Sequence, residues 1–268
     1  MRRRLAATII LALIAGTDAA RAQQYGARTP IPQTTSAPVM RNMAVQREIR
    51  ERFRLGLDAE ARQDWQAALG EFSRIIAIAS GEPQHSTAAY DLGIAYAGLR
   101  RYGEAAGAFR QAIAGDAEFL AAYANLIAVD IQRGDLREAR AFGDRFVRFA
   151  PQSARALYSR GLVALHSGDS TTALADFGKL LLANPSYAVA HYDLGLAHAQ
   201  SRQWAQAERE FSTAVQLAPS YARARFALAT VLIKEGRRSE ARAALDATLR
   251  DSSDPALRNL AAALRNSL

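Results

Sequence analysis

Cysteine is absent from all 268 residues. That excludes disulfides, thiolate metal sites and the lipid-acceptor cysteine of a bacterial lipoprotein, so an exported form must be held by its core alone. Lysine is almost absent too: only Lys179 and Lys234 stand among 34 basic side chains. Beside abundant alanine, this arginine bias reads as the mark of GC-rich coding, not as a nucleic-acid signature. Histidine occurs four times, at His85, His166, His191 and His198. The last two are two turns apart along one helix, about 10 Å, which is too far to share a metal. There is no phosphate loop, dinucleotide fingerprint, HExxH or nucleophile elbow. Acidic clusters are lacking, which leaves calcium binding and paired-carboxylate catalysis without support. No catalytic residue, metal site or cofactor is expected, and the chain does not read as an enzyme.

Long apolar runs are also missing. The run Leu5 to Gly16 is shorter than the about 20 residues that a membrane-spanning helix needs. It follows Arg2, Arg3 and Arg4 and precedes Ala20-Arg21-Ala22. Together, residues 1–22 have the charged, apolar and small-x-small parts of an export signal, with cleavage after Ala22 and a mature chain starting at Gln23. The alternative is a retained N-terminal anchor. The expectation is a periplasmic or secreted protein with no stable membrane insertion after cleavage. The whole chain carries +8. Losing residues 1–22 removes four Arg and one Asp, leaving 30 basic and 25 acidic side chains, or +5. That modest charge favours acidic partners at long range. Export argues against nucleic acid as a partner.

What is present is order of a particular period. Residues 23–42 carry Pro30, Pro32 and Pro38 among small polar residues and are expected to form a flexible tether. From Met43 the pattern becomes helical and recurs. Pro151, Pro185 and Pro219 are each 34 residues apart, as are Gly161 and Gly195, Ala173, Ala207 and Ala241, and Phe177 and Phe211. A fixed period of 34 built from two short amphipathic helices is the mark of a solenoid.

These positions resemble the tetratricopeptide repeat. Within each unit that pattern asks for Leu at 7, a small residue at 8, Tyr at 11, Ala at 20, an aromatic at 24, Ala at 27 and Pro at 32. The unit from Ala188 supplies Leu194, Gly195, His198, Ala207, Phe211, Ala214 and Pro219. The unit from Ala154 supplies Gly161, Ala173, Phe177 and Pro185, and that from Ser86 supplies Leu92, Gly93, Tyr96, Ala105, Phe109 and Ala112. The first, from Ile49, has Leu55, Gly56, Ala68 and Phe72, with three extra residues around Pro83 before the next. The last, from Ala222, has Leu228, Ala229, Ala241 and Leu245. The unit from Leu120 departs, with Ile127 at position 8 and Gly143 at position 24. We read that as a volume exchange, completed by Phe142 and Phe146. Six units over residues 43–253 imply an all-α solenoid of helix-turn-helix repeats in a right-handed superhelix. Asp254-Pro255 opens a capping helix over residues 254–268.

Local chemistry agrees. Gly134, Gly168 and Gly236 fall where the first helix of a unit ends, which suits a left-handed cap. Asp64, Asp135 and Asp169 follow as N-caps, and Asp135 with Glu138 suggests a capping box. Arg133-Gly134-Asp135 spells an integrin-type tripeptide, but its place on an inter-helix turn accounts for the Gly and Asp. His191 and His198 sit at positions 4 and 11, which are packing positions.

The resemblance implies that first helices line a concave groove through positions 2, 5, 6, 9, 12 and 13. Position 5 reads Phe53, Tyr90, Ala124, Tyr158, Tyr192 and Phe226. Position 6 contributes Arg54, Asp91, Asn125 and Asp193, and position 2 contributes Arg50, Arg155 and Arg223. Aromatics and arginines are the usual anchors of protein contacts. The expected function is therefore an exported scaffold that binds a partner peptide or helix in this groove, in envelope or secretion-complex assembly. The alternative is a carbohydrate or envelope-polymer module with the rings as sugar platforms. Self-association is a third reading. The groove lacks the basic and Asn pattern that clamps a C-terminal carboxylate, which argues against a chaperone-tail adaptor.

Overall fold

The computed structural model describes residues 37–79 and 84–268. Among them are thirteen α-helices and no strand. The expected export segment 1–22, the expected tether over residues 23–36 and the extra residues around Pro83 lie outside the described residues. The chain divides into two compact units, the first ending at Phe149 and the second running Ala150–Leu268. The first holds three pairs: α1 Ala37–Ala61 with α2 Trp65–Ile78, α3 Gln84–Gly98 with α4 Tyr102–Gly115, and α5 Leu120–Arg133 with α6 Leu136–Phe149. The second holds α7 Ala154–Ser167 with α8 Ser170–Ala183, α9 Ala188–Gln200 with α10 Trp204–Leu217, and α11 Ala222–Lys234 with α12 Arg238–Asp251. It is closed by α13 Pro255–Asn266. Within each unit every helix packs on its chain neighbours, and α7 also touches α9. Residues 37–42, expected to belong to the tether, are already part of α1. Pro38 is tolerated there: in the first helical turn its missing N–H has no intrahelical partner to lose.

Each pair is set by one close approach. A Cβ added to Gly56, Gly93, Gly161 or Gly195 would lie 2.5–2.6 Å from a ring carbon of Phe72, Phe109, Phe177 or Phe211, in that order. No side chain fits at position 8 unless the position-24 ring moves. The last pair satisfies the same constraint differently, with Ala229 and the shorter Leu245 together in one core cluster with Ala261. In the third pair Ile127 and Gly143 are both buried. Its bulk comes from Tyr123, stacked on Phe146 at 5.4 Å and tilted against Phe142 at 6.2 Å. Interior volume is thus kept while the residues that supply it change places.

The turn inside each pair is also common to all six. Gly134, Gly168 and Gly236 take φ of 84°, 81° and 80°, as a left-handed cap requires. The same position in the other three repeats is filled by Gln63, Arg100 and Arg202, at φ of 59°, 59° and 58°. Asp64 and Asp169 then accept from the backbone N–H of Ala67 and Thr172, each at 3.1 Å. Asp254 accepts from Ala256 and Leu257 at the start of α13, with Pro255 in its first turn. The Asp135 carboxylate pairs with Arg133 at 2.9 Å.

An L-residue in the left-handed region carries about 1–2 kcal/mol of backbone strain, part of which glycine returns as unfolded-state entropy. Arg202→Gly should therefore stabilise the protein by about 0.5–1 kcal/mol, and Gly168→Ala should destabilise it by about 1–2 kcal/mol. Urea midpoints read by circular dichroism check both signs. A loss of stability in Arg202→Gly would show that the arginine makes a compensating contact.

Candidate functional site

The position-5 rings stand at the junction between consecutive repeats, where the first helix of one repeat meets the first helix of the next. In the first unit of the chain Tyr90 stacks on Phe119 at 4.9 Å and tilts against Phe109 at 5.6 Å. Its hydroxyl accepts from Asn125 Nδ2 at 2.9 Å. In the second unit Tyr158 tilts against Phe177 at 5.9 Å and Tyr187 at 5.7 Å. Its hydroxyl donates to Asp193 Oδ2 at 2.8 Å. Both hydrogen bonds join position 5 of one repeat to position 6 of the next, 35 residues on. Sequence reasoning assigned these residues to a binding face and missed the brace. The signal available was a Tyr followed 35 residues later by a polar residue.

Solvent exposure therefore divides the expected groove set. Phe53, Tyr90, Tyr158 and Tyr192 are at most 8% exposed, and so are Asp91, Asn125 and Asp193. Phe53 lies against Phe72 at 6.2 Å, and Tyr192 lies between Phe211 at 5.8 Å and Tyr221 at 5.1 Å. Rings that face other rings offer no broad platform for a sugar. Phe226 is half-buried against the cluster of Ala229, Leu245 and Ala261. The arginines are more open. Arg54 is exposed and paired with Glu51 at 2.6 Å and Asp58 at 3.1 Å. Arg50, Arg155 and Arg223 are half-buried, and Arg223 lies 3.7 Å from Asp254. Within the second unit Tyr158, Tyr192 and Asp193 come together. Within the first, Tyr90 and Asn125 do.

Other buried charges have structural partners. Arg160 grips Asp176 with two hydrogen bonds of 2.7 Å, tying α7 to α8. Asp130 lies 3.3 Å from both Arg110 and Arg133, and burial still pushes its carboxyl up to about 6. His191 bridges Glu210 at 2.6 Å and the Pro185 carbonyl at 2.9 Å, and His198 meets Gln203 at 2.6 Å. Among the described residues no cluster of three His, Asp or Glu could hold a metal, and no helix is long and apolar enough to cross a membrane.

Two family models, both described as tetratricopeptide repeat, match this chain, one over residues 53–119 and 129–189 and the other over residues 200–264. The chain belongs to the tetratricopeptide repeat family. Solved structures show the same fold. A tetratricopeptide repeat protein from Parabacteroides merdae is 18% identical with a TM-score of 0.71, covering 82% of this chain and 89% of its own. A thermophilic repeat protein of Thermus thermophilus is 23% identical with a TM-score of 0.58, covering 66% and 97%. PilF of Pseudomonas aeruginosa is 21% identical with a TM-score of 0.57, covering 64% and 78%. A comparison with curated proteins returns no match.

Within this array Asp193 is the least conventional group. Loss of water pushes its carboxyl up to about 7, and the Tyr158 hydroxyl offsets only part of that. Around it stand Tyr187, Tyr192 and Tyr221, whose hydroxyls are all raised, first by burial and then by the Asp193 charge; Tyr192 reaches about 12. Arg155 counteracts this at Tyr187, and Arg223 at Tyr192 and Tyr221. Because its folded pKa lies above the unfolded value, Asp193 supports folding most at low pH. That support is lost as pH rises from the ordinary value of 3.8 through about 7. Asp193→Asn keeps an acceptor for Tyr158 and removes the titration. It should match wild type in acid and exceed it in stability above neutrality by up to about 4 kcal/mol, because each tenfold change in proton affinity is worth about 1.4 kcal/mol. Urea unfolding of both proteins across this pH range checks it; parallel pH profiles would refute it.

Proposed function

We propose that this protein is an exported scaffold that takes a partner peptide or helix along the first-helix face of its repeats, in the assembly of an envelope or secretion complex. Tetratricopeptide repeats mediate protein–protein interactions, and proteins built from them are typically non-enzymatic scaffolds. The observation that carries the reading lies in the second unit. On α9 and α11, Val189, Leu196, Ala199, Thr230 and Ile233 are only half-buried, with exposed Gln200 and Lys234 beside them. Positions 2, 9 and 12 share one helix face by their spacing. A row of partly open, largely uncharged side chains with a polar margin is the anatomy of an interface that a partner's apolar face completes. Buried Tyr192 belongs to the core cluster on which Leu196 and Ala199 pack. Export rests on the arginines, short apolar run and Ala20-Arg21-Ala22 of residues 1–22.

Selection from a displayed random-peptide library should enrich binders whose affinity falls about ten-fold or more, about 1.4 kcal/mol, in Leu196→Arg and in Ile233→Arg. Circular dichroism of both variants should stay that of wild type. Binders indifferent to both charges would place the partner elsewhere, and no enrichment at all would remove the peptide-binding reading. N-terminal sequencing of protein recovered from the producing cell should begin at Gln23. An intact Met1 in a soluble cytoplasmic fraction would end the export proposal.

A further inference from the structure

The brace between repeats does not need a charge. In the first unit Asn125, a neutral residue, holds Tyr90 from position 6 at 2.9 Å. At the equivalent place in the second unit stands Asp193, 4% exposed, with the Tyr158 hydroxyl as its one hydrogen-bond donor among the described residues. A buried carboxylate is destabilising unless a cation and further donors meet it. Among the described residues no arginine, lysine or histidine forms an ion pair with Asp193, and Arg223 lies 3.7 Å from Asp254 instead. Tyr158, which bonds the carboxyl, pairs with Tyr187, and Tyr192, next to Asp193 in the chain, pairs with Tyr221. The faces of such rings attract cations, and their hydroxyls can accept from N–H donors. Tyr187 is 39% exposed, so the cluster opens to solvent on that side.

We propose that Asp193 and the rings of Tyr187, Tyr192 and Tyr221 form a subsite for one guanidinium or ammonium side chain of a bound partner segment. This rests on the scaffold reading and names the chemistry the partner brings: an arginine or lysine that enters beside Tyr187 and gives Asp193 its missing counter-charge. The partner's cation converts an unfavourable buried carboxylate into a paired one, so binding recovers what folding gave up. Rings preorganised against one another lose little freedom when the side chain arrives.

The test uses N-acetyl-arginine amide and N-acetyl-lysine amide as probes, with N-acetyl-citrulline amide as the neutral match, titrated into the purified protein and followed by tyrosine ring-proton shifts. At least one cationic probe should saturate and the neutral one should not. Asp193→Asn, which retains the acceptor for Tyr158, should weaken cation binding by about ten-fold or more. Tyr187→Leu should weaken it less. Acidification through about 7 should abolish binding in wild type, because Asp193 gains a proton while the four tyrosines stay neutral. Equal response to cationic and neutral probes, or unchanged binding in Asp193→Asn, overturns the subsite. Library peptides that still depend on Leu196 and Ile233 would then leave the scaffold reading standing. Loss of peptide binding with intact cation binding would do the reverse.

Discussion

The hydrogen atom that position 8 presents to the ring at position 24 is the constraint on which the array depends. Two helices joined by a short turn approach closely where one of them presents little or no side chain. In four repeats that place is held by glycine, and a phenylalanine ring fills the space so closely that a Cβ would collide at 2.5–2.6 Å. Close packing then fixes the angle and register of each pair, because a packed interior does not deform continuously. The third and sixth pairs show that volume is conserved and residue identity is not. Ile127 with Gly143, and Ala229 with Leu245, reach the same fill by other routes.

From that packing the junctions between repeats follow. With the pairs set, position 5 of one first helix faces position 6 of the next, and aromatic residues there are enclosed by rings from both sides. Tyr90 with Asn125 and Tyr158 with Asp193 add a directional bond to a contact that apolar burial alone would leave free to slide. The two braces are geometrically alike and electrostatically different. Asn125 satisfies its partner without charge, whereas Asp193 keeps an ionisable group in a place that disfavours ionisation. A chain that keeps such a group either carries a destabilising relic or uses it, and the surrounding tyrosines have the chemistry to use it.

The surface contributes in another way. Its many arginines form ion pairs along and between helices, as in the link of Arg237 to Glu208 and Glu240 and that of Arg225 to Asp251. Exposed pairs of this kind add little net stability, because water screens them and long side chains must be ordered. They keep the outer faces polar and leave the half-buried apolar row on α9 and α11 as the surface that a partner could complete.

Helices, turns and their period were legible in the sequence because they depend on local chemistry repeated in phase. Spacing of small and large residues placed each pair, glycine marked three of the six turns, short acceptors marked the helix starts at Asp64 and Asp169, and the proline of Asp254-Pro255 marked that of α13. The other three left-handed turns were invisible because Gln63, Arg100 and Arg202 do not favour that conformation: the packing of the paired helices imposes it on them. The start of α1 at Ala37 was equally hidden, since a proline in a first turn looks the same as one in a tether. The position-5 aromatics were found by sequence, but their burial was not. Whether a ring on a first helix meets water or another ring depends on residues from the neighbouring repeat, and only the tertiary structure brings Phe109, Phe177 and Phe211 against them. The same holds for Asp193: its residue type was plain in the chain, but its isolation from countercharge arises only when the folded repeats exclude water around it.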